Sequence, residues 1–85
     1  MDTQEIETVL RNALALSEVY VTVEGTHFKI VAVGDCFEGM SKIKQQQTIY
    51  APLMDRITSG EMHALSIKTF TPAQWQREKI FNMPV

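Results

Sequence analysis

Three side chains of this 85-residue sequence could bind a transition metal: its two histidines, His27 and His63, and its one cysteine, Cys36. Neutral imidazole and thiolate are both good ligands for such metals. No CxxC pair and no second cysteine is present, so the chain has no pair of thiolates with which to build a metal site alone. His63 stands at the start of a predicted strand, where a lone histidine can equally be a hydrogen-bonded structural residue. Residue types and spacing leave both interpretations open.

The composition predicts a small globular protein, because 45% of its residues are hydrophobic and its net charge is only −2. We expect one domain over residues 1–85, with a loose tail from residue 79. A single cysteine excludes an internal disulfide and is typical of a reducing compartment. The acidic N-terminus has no signal-peptide h-region, and no apolar run approaches the roughly 20 residues of a membrane span. The prediction is a soluble, cytoplasmic protein that does not enter membranes.

The first half of the chain predicts a helix followed by a β-hairpin. Apolar residues recur at helical spacing between Thr3 and Ala15, after a capping box of Asp2 and Glu5. Alternation at residues 19–23 and 28–33 then indicates two strands joined by a tight turn at residues 24–26.

The second half predicts a long helix, a third strand and a last helix. Ser41 can cap the long helix, whose apolar stripe runs from Ile43 to Ile57 with Gln46 as its polar exception. Pro52 within it predicts a kink or two successive helices. A strand at residues 63–69 and a helix start at residues 71–74 follow, and this helix is expected to reach about Lys79.

The predicted order is therefore α-β-β-α-(α)-β-α, which is α+β because strands and helices do not alternate regularly. The simplest packing is a three-stranded sheet with its helices on one face. Trp75 is expected to anchor the last helix against this sheet.

Four short segments resemble the BolA family, and within it the short bacterial branch. They are HFKIV at residues 27–31, FEGMS at 37–41, HALSI at 63–67 and TPAQW at 71–75. The resemblance extends over nearly the whole chain. It implies a BolA-like fold related to class II KH domains, which agrees with the order of elements predicted above.

The resemblance also implies a function. Family members pair with a monothiol glutaredoxin, share a [2Fe–2S] cluster with it and with glutathione, and act in iron–sulfur trafficking or iron sensing. Because this chain has no second cysteine, it is not expected to hold a cluster alone. The family's ligand at the start of the third strand corresponds to His63. His27, after the short hairpin turn, is the expected second ligand, although it could instead be an ordinary exposed hairpin residue.

Cys36 is the alternative second ligand, because a thiolate binds iron better than imidazole does. It follows the second strand, at the far end from the turn that precedes His27. It also does not match the family's ligand position, so we interpret Cys36 as a small apolar loop residue.

Nucleic-acid binding is the alternative function, since the KH-like fold suggests a transcriptional regulator that contacts DNA through Lys42 and Lys44, with Arg56. The sequence has no GxxG loop, and glutamines occupy residues 45–47, where many family members carry an Arg-His-Arg run. Few phosphates could then be neutralised, so weak DNA binding is the most that we expect. A solvated helix face is the alternative interpretation.

The sequence contains no recognisable catalytic arrangement. Its serines lack a nucleophile-elbow context, and no glycine-rich loop could hold a phosphate. The protein is therefore predicted not to be an enzyme. Whether the free chain is a monomer or a weak homodimer stays open.

Overall fold

The protein is represented by a computed structural model that describes residues 3–60, 62 and 64–82. Three helices and three strands form a mixed sheet with helices packed against it, which confirms the predicted α+β fold class. In chain order the elements are α1 (Thr3–Ala13), β1 (Glu18–Glu24), β2 (His27–Val33), a short 3₁₀ turn (Asp35–Phe37), α2 (Lys42–Thr58), β3 (Ala64–Phe70) and α3 (Pro72–Asn82).

The sheet has the strand order β1-β2-β3, so β2 is its central strand. β1 and β2 form the predicted antiparallel hairpin, in which Glu24 pairs with His27 across a two-residue turn. Gly25 opens this turn with φ of +62°, a left-handed conformation that glycine adopts without steric cost. β3 lies parallel to β2, and α2 makes the connection that a parallel pair requires.

The first face of the sheet carries the main core. Alternate side chains of β1 and β2 point to this face and pack against α1 and α2, because neighbouring residues of a strand point to opposite sides. The fully buried members of this core are Ile6 and Leu10 of α1, Val19 of β1, Ile30 and Ala32 of β2, Phe37 of the 3₁₀ turn, and Ile49 and Leu53 of α2.

The second face of the sheet is covered by α3 at one end only. Trp75 of α3 is 1% exposed and packs on Val31 and Val33, with its ring 5.8 Å from that of Tyr20 and 5.2 Å from that of Phe70. Trp75 thus anchors α3 as predicted. The expectation that all helices lie on one face is wrong, because α3 packs on the second face. Val31 and Val33 of the central strand β2 point to this face, and α3 buries them.

α2 is one continuous helix through Pro52, so the alternative of two successive helices is wrong. Proline lacks the N–H that would bond to the preceding turn. The helix continues because Ile49 and Leu53, on both sides of Pro52, are fully buried in the same core. Packing of an apolar face commonly outweighs such a local preference.

The buried polar residue of α2 is Gln45 and not the predicted Gln46. Gln45 is 5% exposed, whereas Ile43, the predicted start of the stripe, is 73% exposed. The Nε2 group of Gln45 donates to the carbonyl oxygens of Phe37, at 3.2 Å, and Met40, at 3.1 Å, and its Oε1 accepts from the Thr69 hydroxyl. The amide is therefore satisfied inside the fold.

The helix ends differ slightly from the prediction. α1 ends at Ala13, two residues before the expected Ala15, and α3 continues to Asn82 beyond the expected Lys79.

Ser41 caps α2 by accepting from the Lys44 N–H at 3.1 Å. Thr71 and Gln74 form the capping box predicted for α3, with the side chain of each bonded to the backbone N–H of the other. Asp2 and the tail from residue 83 lie outside the described residues.

Candidate metal site

His27 is the first residue of β2, and it lies directly after the hairpin turn. Its Cα position pairs with Glu24 of β1 on one side and with Ala64 of β3 on the other. The next residue, Phe28, is buried in the main core. By strand alternation, the imidazole therefore lies on the second face of the sheet, where it is half-buried.

The imidazole of His27 is held by a side chain of the neighbouring parallel strand. Its Nε2 lies 2.9 Å from the hydroxyl oxygen of Ser66. Ser66 is two residues beyond Ala64, the direct partner of His27, so the two side chains are diagonal neighbours on one face. The bond limits the orientation of the imidazole ring.

The described contacts of α3 with this face lie at the end of the sheet opposite His27. Trp75 packs on the other end of this face, beside Val31 and Val33. We call the remainder the open half; strand register places on it Thr22 and Glu24 of β1, His27 and Lys29 of β2, and Ala64 and Ser66 of β3. Lys29 and Ser66 are exposed. A partner molecule can therefore approach His27 from this side.

His63, the expected principal ligand, lies outside the described residues. The residue that follows it in the sequence, Ala64, begins β3 and pairs directly with His27. The parallel register thus places the described residue next to His63 in the sequence, Ala64, beside His27.

Cys36 is remote from His27. It lies in the short 3₁₀ turn that follows β2, half-buried and packed against the main core. The six residue steps of β2 place Val33, which precedes this turn, roughly 20 Å from His27. Burial raises the pKa of the Cys36 thiol, which disfavours the thiolate needed for iron binding. Among the described residues, no group of three or more His, Cys, Asp and Glu side chains could hold a metal ion.

The three basic residues of the nucleic-acid alternative do not form one patch. The Lys42 Nζ donates to the carbonyl oxygen of Thr69 at 3.2 Å and lies 5.8 Å from the centre of the Phe70 ring. Arg56 is fourteen residues further along α2, roughly 21 Å along the helix axis. It is half-buried, and its Nε has no hydrogen-bond partner in the described part of the chain. Lys44 is exposed.

Sequence reasoning missed Ser66 as the partner of His27. The alternation of β3 could have placed Ser66 on the polar side of its strand. Only the register of β3 against β2 brings it diagonal to His27, and a one-residue shift would have moved it to the opposite face.

The described residues fit a shared [2Fe–2S] cluster in one respect. An oriented imidazole on an uncovered surface can supply one ligand to iron, since histidine replaces cysteine on some such clusters. The remaining ligands have to come from elsewhere in the chain or from a partner.

Comparison with known proteins identifies the family. A family described as BolA-like protein matches residues 7–74, and the chain belongs to this family. It is 51% identical to the acid stress protein IbaG of Escherichia coli (strain K12) over 82 residues, which cover 96% of this chain and 98% of that protein.

Solved structures show the same fold. The BolA domain of SufE1 from Arabidopsis thaliana is 32% identical, with a TM-score of 0.74 over 86% of this chain and 96% of that one. A BolA homologue from Coxiella burnetii is 31% identical, with a TM-score of 0.77 over 91% of this chain and 99% of that one. In the described residues, no helix is long and apolar enough to span a membrane.

Proposed function

We propose that this protein is a non-enzymatic, cytoplasmic partner of a monothiol glutaredoxin. The two proteins share a [2Fe–2S] cluster that glutathione also ligates, in iron–sulfur trafficking or iron sensing. His63 supplies the principal imidazole ligand and His27 the second. Membership of the BolA-like family supports this role.

The observation that carries the proposal is the pairing of His27 with Ala64 in the parallel register of β2 and β3. His27 and His63 are 36 positions apart in sequence. Ala64 is the described residue next to His63 in the sequence. It pairs with His27 in the sheet, and the exposed side chains of Lys29 and Ser66 near His27 leave room for a partner.

The partner is needed because the described chain cannot complete a cluster. The active-site cysteine of the glutaredoxin and the thiol of glutathione supply the thiolates that this chain lacks. An imidazole in place of a thiolate raises the reduction potential of a cluster. The chain's own contribution is thus to exchange the ligands of a cluster that the glutaredoxin already carries.

Titration of a cluster-loaded monothiol glutaredoxin with this protein tests the proposal. The visible absorption and circular dichroism of the cluster should change and saturate at a one-to-one ratio. His63→Ala should remove this change, and His27→Ala should weaken it or alter the final spectrum. Cys36→Ser is the control and should behave as the wild type does.

Two results would contradict the proposal. Wild-type protein that leaves the cluster spectrum unchanged would remove the shared cluster altogether. A normal change in His63→Ala together with a lost change in Cys36→Ser would assign the ligand to the thiol. The name of the E. coli relative, acid stress protein, adds mildly acidic buffer as a second condition for the titration.

Weak DNA binding stays a prediction, and the positions of Lys42 and Arg56 do not favour it. Its test is the salt dependence of binding to duplex DNA. If Lys42 and Lys44 contact phosphates, the double variant Lys42→Glu and Lys44→Glu should bind DNA much more weakly. The slope of log affinity against log salt concentration should fall by about two.

A further inference from the structure

The hydrogen bond between His27 and Ser66 occupies one of the two nitrogens of the imidazole. Nε2 lies 2.9 Å from the Ser66 hydroxyl oxygen. This is the side-chain partner that the described part of the chain gives to the ring. Nδ1 is the nitrogen that Ser66 does not occupy.

We infer that Ser66 is a positioning residue that holds His27 with its proton on Nε2 and so leaves Nδ1 as the atom that binds cluster iron. The inference rests on the proposed function insofar as the iron belongs to a shared cluster. The hydrogen bond itself is a property of the free protein.

The backbone makes this contact an intrinsic part of the fold. Both residues lie in paired strands, and Ser66 is diagonal to His27 on the same face. The diagonal distance between such neighbours is within reach of a long side chain such as histidine. Since the sheet register fixes both Cα positions, the ring is oriented before any partner binds.

The Ser66 hydroxyl can donate as well as accept, and only one tautomer of the neutral imidazole keeps this bond while a metal binds the ring. A neutral ring carries one proton, so one nitrogen donates while the other offers a lone pair. With the proton on Nε2, the ring donates to the Ser66 oxygen, and the Nδ1 lone pair can bind a metal. Binding through Nε2 would require the bond to Ser66 to break.

Such an arrangement is common at metal sites. The ring nitrogen that does not bind the metal usually donates to a nearby acceptor, which fixes both tautomer and orientation. Removal of that acceptor typically lowers metal affinity by 10- to 100-fold. Ser66 is exposed, so its replacement by alanine should leave the fold intact.

The first experiment uses cluster-free protein and two-bond ¹H–¹⁵N correlation spectra of the imidazole at about pH 8.5, where imidazole is neutral. We expect His27 with its proton on Nε2, and a shift of its Nε2 resonance in Ser66→Ala that Ser66→Thr reverses. Ser17→Ala is the matched control, because this exposed serine precedes β1, at the other end of the sheet.

A proton on Nδ1 in the wild type, or an Nε2 resonance that ignores Ser66→Ala, would overturn the inference. This measurement needs no cluster and no partner. Its outcome is therefore independent of the test of the proposed function.

The second experiment uses the complex with the glutaredoxin, prepared with histidine labelled with ¹⁵N at either Nδ1 or Nε2. Pulsed electron paramagnetic resonance of the reduced cluster should give a strong His27 coupling, absent in His27→Ala, from Nδ1 only. Ser66→Ala should accelerate cluster loss by roughly tenfold, Ser66→Thr should restore the wild-type rate, and Ser66→Ala should have no effect in the His27→Ala background.

The possible failures are distinguishable. A shared cluster whose His27 coupling comes from Nε2, or whose stability ignores Ser66→Ala, overturns this inference and leaves the proposed function standing. A wild-type protein that forms no shared cluster overturns both the proposed function and the assignment of iron to Nδ1.

Discussion

The two ends of the second face of the sheet differ in what covers them. At one end, Trp75 of α3 covers Val31 and Val33, and the aromatic rings of Tyr20 and Phe70 lie beside it. At the other end, the open half carries His27, Lys29 and Ser66, and no side chain of the described part of α3 is seen to pack on them. One end thus stabilises the fold, while the other keeps polar side chains accessible at little cost in stability.

The difference follows from the residues at the same parity of β2. Burial of Val31 and Val33 stabilises the fold, because the removal of apolar surface from water is favourable. Histidine and lysine at 27 and 29 are already satisfied by solvent and by Ser66. The short helix α3 therefore covers the half that requires cover. The comparison predicts that mutations at the covered end mainly lower stability, whereas mutations in the open half mainly affect binding.

Replacement of Trp75 by alanine should give the largest loss of stability. Removal of a buried indole costs about 3–5 kcal/mol of unfolding free energy through lost burial and the cavity left behind. Urea denaturation followed by far-ultraviolet circular dichroism measures the change. Trp75→Phe is the control; it keeps a ring and removes an Nε1 that has no hydrogen-bond partner among the described residues, so it should cost much less. Equal losses in both variants would contradict this explanation.

Replacement of Gln45 by alanine should have the second largest effect. The carbonyl oxygen of Met40 and the hydroxyl of Thr69 would lose the Gln45 side chain as partner, and the carbonyl oxygen of Phe37 would keep only the Met40 N–H. Buried unsatisfied polar groups cost about 1–3 kcal/mol. Denaturation midpoints measure the loss, and Gln46→Ala, at an exposed position of the same helix, should change stability by less than about 0.5 kcal/mol. A larger loss in Gln46→Ala would restore the stripe predicted from the sequence.

Cys36 should react slowly with thiol reagents. Burial raises its pKa, so the thiolate fraction at any pH below that pKa is smaller than for an ordinary cysteine. The rate of alkylation by iodoacetamide should therefore rise with pH along a curve displaced to higher pH relative to a free cysteine peptide. Urea-unfolded protein, in which the thiol is solvated, is the control and should follow the peptide. A curve displaced to lower pH would indicate an activated thiolate and would reopen Cys36 as a ligand.

Replacement of His27 by glutamine should have the smallest effect on stability, within about 0.5 kcal/mol, because the residue is half-buried at the edge of the open half. Its effect on the shared cluster should nevertheless be large, since glutamine offers no imidazole. Thermal unfolding and the cluster titration, carried out on the same sample, separate the two properties. A substantial loss of stability would make His27 a structural residue and would weaken its assignment as a ligand.

Much of the fold could be predicted because local signals agree with the final structure. Strand alternation identified the hairpin, and Thr71 with Gln74 identified the start of α3. Signals that depend on long-range packing failed. The polar member of the α2 stripe was predicted one position too late, because Gln45 is buried through bonds to the 3₁₀ turn and to β3. Pro52 did not end the helix, because residues on both of its sides pack in the core.

The candidate site divides in the same way. The sequence by itself determined the residue types that can bind iron, the resemblance to the family, and the absence of a second cysteine, because these depend on side-chain chemistry alone. Only the tertiary structure decided that β3 lies parallel to β2 with Ala64 beside His27 and Ser66 on the same face. Strand register depends on contacts between residues nearly forty positions apart, and no local pattern specifies it.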